Sequence, residues 1–401
     1  MKIRIIANRF ISCAVALISI MACISIGPEM LRGFNNAVIN NSMDVFIQEF
    51  DNTVNNDMPY KNVFVDINGL FHRIALQREM NEVILLPNGH EHMLLEDKSD
   101  AAIKENTDSL KNFSEYLNGR NIFFFWCQNP AKVTRDDSNL LALGVEDYSN
   151  KIADEFIDNL ESDGVRYLDI RECIIEDNVD QYSLFLKTEH HWNPEGGFYA
   201  FQKICEYIRA YCNEDIPEYV TNIDNYDVSE FRNSSLGYYG QRTGWMFGGF
   251  DDFNLIYPQW NTEQACYIPH KDIIRRGTFY DCIFSDDYIN KEWRDRGLYD
   301  TYIGGDYPLV IHHSDTAPVD KAIIILIDSY GTIPEAFLTT VYRDVIAIDV
   351  RWIHNYAEGK TIIDYIDEYS PDVVMMALNP NQMGFENSAL FDFGLSSNND
   401  N

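Results

Sequence analysis

Four nearly unbroken apolar runs, Ile122–Cys127, Ala322–Ile327, Val345–Val350 and Val373–Leu378, constrain the fold of this chain more than any other feature. Such runs are the pattern of strands buried on both faces. Amphipathic stretches separate them. Ala101–Leu117 is closed by Asn118-Gly119, Val145–Leu160 is stopped by Asp163-Gly164, and Ile333–Tyr342 is followed by Thr361–Tyr369, which ends at Ser370-Pro371. Arg166–Ile170 adds a further short strand. Strands alternating with helices predict a three-layer α/β domain, a parallel sheet covered on both faces. Sites on such sheets form at the carboxyl ends of the strands.

Residues 213–318 break the alternation. They are rich in Gly, Tyr and Asp, carry turn dipeptides such as Gly248-Gly249 and Gly304-Gly305, and read as an irregular or β-rich insertion. Tyr238, Tyr239, Trp245 and Trp260 within it either fill a satellite core or stack on sugar faces. The tail, residues 396–401, reads as disordered.

At the other end, Lys2, Arg4 and Arg9 precede an uncharged run from Phe10 to Pro28. A helix of about 18 residues at ~1.5 Å each spans ~27 Å, enough to cross a hydrocarbon core. The one-sided basic flank places the first residues in the cytoplasm and exports the rest. No small-x-small signal peptidase site is clear before Pro28, so residues 1–30 are expected to be a signal anchor in the membrane. An Asn- and Asp-rich stalk (31–61) and the α/β domain (62–395) come next, on the extracellular or periplasmic side.

A hydrophobic content of 46%, with 13% aromatic, suffices for a large core. The net charge of −32, from 63 acidic and 31 basic residues, repels phosphate backbones and excludes nucleic acid as a partner. Eight cysteines lack CxxC spacing, so no zinc ribbon or redox motif is present, and Cys266 with Cys282 is the pair most open to a disulfide.

Chemistry concentrates in two blocks, Thr188-Glu189-His190-His191-Trp192 and Ile327-Asp328-Ser329-Tyr330-Gly331. Ser329 comes after a buried strand and is presented at the rim of the sheet. A serine hydroxyl is a poor nucleophile until a base takes its proton, and an imidazole held by a carboxylate is such a base. In an extended segment Glu189 and His191 share one face while His190 points away. Asn193-Pro194-Glu195 then starts a helix, with Asn as N-cap and Pro at the first position. His-His could instead ligate a metal, with His312-His313 or His90-Glu91-His92. Histidines that point apart and the absence of a His-x-x-x-His pair argue against it, and no metal or cofactor is expected. No Gly-x-Ser-x-Gly elbow is present.

At these blocks the chain resembles the DHHW family, named for Asp-His-His-Trp, within the SGNH hydrolase-like group that includes periplasmic alginate O-acetyltransferases. Glu189-His190-His191-Trp192, the Gly196-Gly197 helix start and Asp328-Ser329-Tyr330 carry the resemblance. Asn129-Pro130-Ala131-Lys132, Glu335-Ala336-Phe337-Leu338, Ile348-Asp349-Val350-Arg351 and Tyr369-Ser370-Pro371-Asp372 extend it. The resemblance implies an SGNH-like fold with Ser329 as nucleophile, His191 as general base and acid, and Glu189 as orienting acid, one methylene longer than the family's Asp. Asn379, just past the last strand, is by position a second oxyanion donor beside the Ser329 N–H. Arg351 would hold a substrate anion or form a structural salt bridge. The implied activity is O-acetyl transfer to a surface or secreted polysaccharide, beside a membrane-bound O-acyltransferase. An esterase with water as acceptor and a non-catalytic glycan-binding or scaffold module are the alternatives.

Overall fold

The computed structural model describes residues 60–395 apart from 213, 295–296, 357–358 and 387, together with 31, 32, 36 and 47. The expected anchor, most of the stalk and the tail lie outside these residues. Among the described residues no helix is long and apolar enough to cross a membrane.

Eight strands form one sheet. In chain order they are β1 Phe123–Gln128, β2 Tyr167–Asp169, β3 Gln264–Ile268, β4 Ile273–Gly277, β5 Leu309–Ser314, β6 Val319–Ile327, β7 Tyr342–Asp349 and β8 Val373–Ala377. Across the sheet the order is β2-β1-β8-β6-β7-β5-β3-β4. The run from β2 to β7 is parallel, whereas β5, β3 and β4 pair antiparallel. The sheet is therefore mixed, where the apolar runs alone predict a parallel one. Its last three strands come from the segment that reads as an insertion. The segment is β-rich as read, but its membership of the main sheet was not legible because one face is only partly covered: along β3, buried Gln264, Cys266 and Ile268 alternate with more accessible Ala265 and Tyr267.

The parallel strands are buried on both faces. Phe125, Ile323, Ile325, Val345 and Met375 point to one side, against α3 (Pro194–Cys212) and α4 (Thr332–Leu338). Phe124, Trp126, Ile324, Leu326, Ile346 and Met376 point to the other, against α1 (Asp100–Gly119), α2 (Ser149–Ser162) and α5 (Ile362–Tyr369). Alternation along each strand thus divides one sheet between two cores and gives three layers.

Two helix ends are capped locally. Asn193 Oδ1 accepts from Gly196 N at 2.8 Å, the capping role read from the sequence. Helix α4 stops at Leu338 instead of running to Tyr342, and its last carbonyls are capped by hydroxyls: Thr339 Oγ1 donates to Ala336 O at 2.6 Å and Thr340 Oγ1 to Phe337 O at 2.7 Å. Tyr342 then opens β7.

Gly197 brings α3 onto α4. A Cβ at this position would lie 2.4 Å from Ile333 Cγ2, so any larger residue would force the helices apart. Those two helices extend from the two motif blocks, which links their packing to the site. Beneath α4, His312 of β5 meets Glu335 at 2.8 Å, both side chains 3% exposed.

The described cysteines, Cys266 and Cys282 included, are free, and Cys282 Sγ donates instead to Gln264 O at 3.3 Å. Among the four aromatics singled out, Trp260 packs edge-on against Tyr219 and Tyr226, Trp245 stacks on Phe250 and Tyr239 is buried. Tyr238 is 51% exposed.

Candidate functional site

Strand β6 ends at Ile327, and the buried Asp328 ties down the turn beyond it. Its Oδ1 accepts from Tyr330 N at 2.9 Å and its Oδ2 from Asn379 N at 2.8 Å. The Asp of the Asp-Ser block is therefore a clip between the ends of β6 and β8. It holds Ser329 at the carboxyl edge of the sheet, in the single turn Ser329–Gly331 that leads into α4.

The second block is fastened by groups far away in sequence. Leu186 N donates to His191 O at 3.2 Å, closing the loop on itself. Buried Asp251 accepts from the N–H groups of Lys187 and Thr188 and from Thr188 Oγ1. Lys132, also buried, donates to Glu91 O at 2.7 Å and Lys187 O at 3.2 Å. Burial lowers the Lys132 ammonium to about 8, against the pull of the Asp251, Glu189 and Glu91 carboxylates. Gly237 lets its own chain pass over the loop. Its N–H donates to Thr188 Oγ1 at 2.8 Å, and a Cβ there would fall 2.5 Å from Glu189 Cβ.

These supports bring His191 to Ser329: Nε2 and Oγ are 2.8 Å apart, and each residue is 9% exposed. Glu189 lies on the far side of the ring, but its geometry is not that of a simple triad. Oε1 is 3.6 Å from His191 Nδ1, beyond hydrogen-bond length, and 2.5 Å from His190 Nδ1. The carboxylate also accepts from His190 N at 2.8 Å and Tyr238 N at 2.6 Å. His191 Nδ1 is buried with no hydrogen-bond partner. Burial opposes the charge on Glu189, yet the two imidazoles outweigh it and hold the carboxyl well below its usual range.

His190 does not point away as an extended segment requires. Residues 188–191 form bends, and the rings of His190 and His191 are 3.8 Å apart at 37°. One consequence is that Glu189, His190 and His191 offer three ligand atoms within 4.8 Å of one another, the grouping among the described residues that could hold a metal.

The orientation of His191 comes from a residue that sequence reasoning missed. Tyr299 stacks on its ring at 4.0 Å and 9°, and donates its hydroxyl to Ser329 O at 2.7 Å. It therefore touches both members of the pair. Tyr330 adds a second brace by donating to His190 O at 2.6 Å. Burial and the neighbouring His190 lower the His191 imidazole to about 4, with Glu189 working in the opposite direction.

Asn379 sits beside Tyr330 and His190 on a cavity of about 290 Å³. Its backbone N–H is taken by Asp328 and its Oδ1 accepts from Asn381 N at 2.9 Å. Arg351 is engaged elsewhere. Its N–H and guanidinium hold Asp349, and the guanidinium also meets Asp306 at 2.7 Å. Arg171 grips Asp169 in the same way at the end of β2, so Asp-x-Arg is a strand-end closure used twice in this fold. An imidazole held against a serine hydroxyl can take a proton from the hydroxyl and pass it to a leaving group.

Residues 89–223 match the family described as an SGNH hydrolase-like domain, acetyltransferase AlgX. No curated protein matches the chain in sequence. Among solved structures, Bacillus cereus PatB1 is similar at a TM-score of 0.62 and 17% identity, over 79% of this chain and 98% of that one. A DHHW family protein from Eubacterium siraeum is similar at a TM-score of 0.59 and 16% identity, over 77% of this chain and 93% of that one. At these identities the likeness is one of fold. The resemblance read from the two motif blocks, to DHHW proteins and SGNH hydrolase-like acetyltransferases, is borne out.

Proposed function

Taking the chain as an SGNH hydrolase-like protein, we propose that it is a serine-dependent acyltransferase that moves an acetyl group to a hydroxyl of a surface or secreted polysaccharide. The 2.8 Å contact between His191 Nε2 and Ser329 Oγ carries this reading. The name of the matching family, acetyltransferase AlgX, supports the acetyl group. Export to the extracytoplasmic side, anchoring by residues 1–30, and a membrane-bound O-acyltransferase as acyl donor belong to the same proposal and rest on the sequence.

In this mechanism His191 Nε2 takes the Ser329 proton as Oγ attacks the acyl carbonyl carbon. The tetrahedral oxyanion is met by the Ser329 N–H, with the Asn379 side-chain amide as the second candidate, its backbone N–H being held by Asp328. Collapse expels the donor's oxygen, protonated by His191, and leaves acetyl-Ser329. A sugar hydroxyl then gives its proton to His191, attacks the acyl carbon and departs as the acetyl ester, returning the proton to Ser329. Glu189 stabilises the imidazolium across 3.6 Å, while Tyr299 holds the ring.

The deciding experiment is mass spectrometry of the protein after mixing with a chromogenic acetyl ester, with and without an oligosaccharide. A mass gain of one acetyl on the peptide bearing Ser329, discharged to the sugar, is expected. Discharge only to water would make the protein an esterase, and no adduct at all would favour a non-catalytic module.

Because a pKa of about 4 leaves His191 neutral across pH 5–8, the acid limb of kcat/KM should fall near pH 4 instead of near 6.5. A pH profile with that ester reads this directly. Tyr299→Phe keeps the stack but loses the hydrogen bond, roughly a threefold to tenfold loss in kcat, whereas Tyr299→Leu loses both and falls roughly 10²-fold with KM little changed. Equal effects of the two on KM alone would contradict a positioning role.

A further inference from the structure

We propose that the cavity beside Ser329 binds an uncharged pyranose of the acceptor, so that the protein selects neutral over anionic glycans. The inference rests on the acyl-transfer reading for its purpose, though not for its test.

The cavity, about 290 Å³, is lined among others by His190, Tyr238, Tyr330, Asn379 and Asn381. Ser329 and His191 do not themselves line it, but their chain neighbours do: Tyr330 follows Ser329, and the His190 ring lies 3.8 Å from that of His191. Its volume is at the small end of ligand sites, ~300–1,000 Å³, and suits a single sugar ring. Tyr238 stands at its mouth, half exposed, edge-on to His190 at 6.4 Å. An aromatic face of this kind packs against the C–H face of a pyranose. Asn381 Oδ1 lacks a hydrogen-bond partner, and a rotation of this amide toward the cavity would offer it to a sugar hydroxyl or amide N–H.

Charge decides the class of sugar. Lys132 lines the cavity, but its Nζ is committed to two backbone carbonyls and surrounded by Asp251, Glu189 and Glu91. His92 is held by Asp147 at 2.9 Å. Tyr238 also borders a second cavity, of about 630 Å³, whose guanidiniums are likewise taken, Arg242 by Glu82 and Arg294 by Asp66. Lys61, on the same wall, is partnered as well. An anionic sugar entering here would lose its hydration and meet cations already engaged, Lys132 and His92 in the first cavity and Arg242 and Arg294 in the second, within a protein of net charge −32. A neutral sugar meets rings and amides, at no such cost.

The test is calorimetric binding to full-length Ser329→Ala protein in detergent, using neutral hexasaccharides of glucose, galactose and N-acetylglucosamine against hexuronate hexasaccharides. At least one neutral oligosaccharide should bind, ten or more times tighter than every hexuronate, and Tyr238→Ala should weaken it about tenfold. Hexuronates binding as tightly as neutral sugars, no neutral sugar binding, or indifference to Tyr238→Ala would each overturn the proposal. Binding to a variant without the hydroxyl is independent of turnover. Tight neutral binding with no acetyl transfer by the unmodified protein would therefore defeat the transferase reading alone.

Discussion

Ser329→Ala lowers turnover of an acetyl ester by about 10³- to 10⁶-fold, and His191→Ala brings it to the same floor. The two variants fall together because the groups act as a unit: Oγ without a base is a weak nucleophile, and the base without Oγ has only water to activate. The double variant should therefore be no worse than either single one. What survives is the contribution of the Ser329 N–H and of substrate binding, roughly 10³- to 10⁴-fold over water. The fold should be insensitive to the first change. Ser329 Oγ makes one side-chain contact, to His191, worth roughly 1 kcal/mol, while the turn around it is held by Asp328 and Tyr299 through backbone atoms. A sulfonyl fluoride reacts with a serine hydroxyl that a neighbouring base activates, and so reports on the pair directly. It should add to Ser329 and fail to add to the alanine variant. Retention of activity within tenfold in Ser329→Ala, with melting unchanged, would remove the serine from the mechanism.

The parts of this site that were legible in sequence are those whose cause is local. Strands β1, β6, β7 and β8 announce themselves because both faces are buried, which demands apolar residues at nearly every position. The capping of α3 by Asn193 and the two motif blocks lie within a few residues of what they position. Tyr299 carried no such signal. The chain has 24 tyrosines, and nothing near residue 299 marks the one that reaches across to His191. Asp251 was equally silent, and Lys132 was marked only as the end of the Asn129-Pro130-Ala131-Lys132 block, since their partners are 41 to 64 residues away. The facing of His190 was misjudged for a different reason. Periodicity assumes regular backbone, and residues 188–191 bend, so side chains expected to diverge converge on Glu189. Strands β3 to β5 were foreseen only as part of a β-rich stretch, and their place in the main sheet was missed for want of a second buried face, not for want of hydrogen bonds.

Breaking the buried pair of His312 and Glu335 should cost about 3–5 kcal/mol of stability from either side. The two side chains are 2.8 Å apart and each is 3% exposed, so His312→Ala leaves a carboxylate, and Glu335→Ala an imidazolium, with no water to replace the lost partner. Burial alone would lower His312, but the Cys266 thiol and the Glu335 carboxylate raise it to about 10. That elevation fixes the sign of the pH effect. A histidine whose pKa is higher folded than unfolded adds stability that is complete below about 6.5 and disappears as the pH climbs through about 10. Urea midpoints should therefore drop between pH 6.5 and 10 in the unmodified protein, and that drop should flatten in His312→Leu/Glu335→Leu, which replaces both charges. The double variant should recover much of the loss seen in either single one, because the penalty lies in the unpaired charge and not in the absence of the bond. Since Glu335 belongs to α4, directly after the Ser329 turn, the single variants should also slow sulfonyl labelling of Ser329 in conditions where the protein is still folded. Urea midpoints that do not move with pH would show instead that the pair is neutral, and that α4 is held by its apolar face against α3.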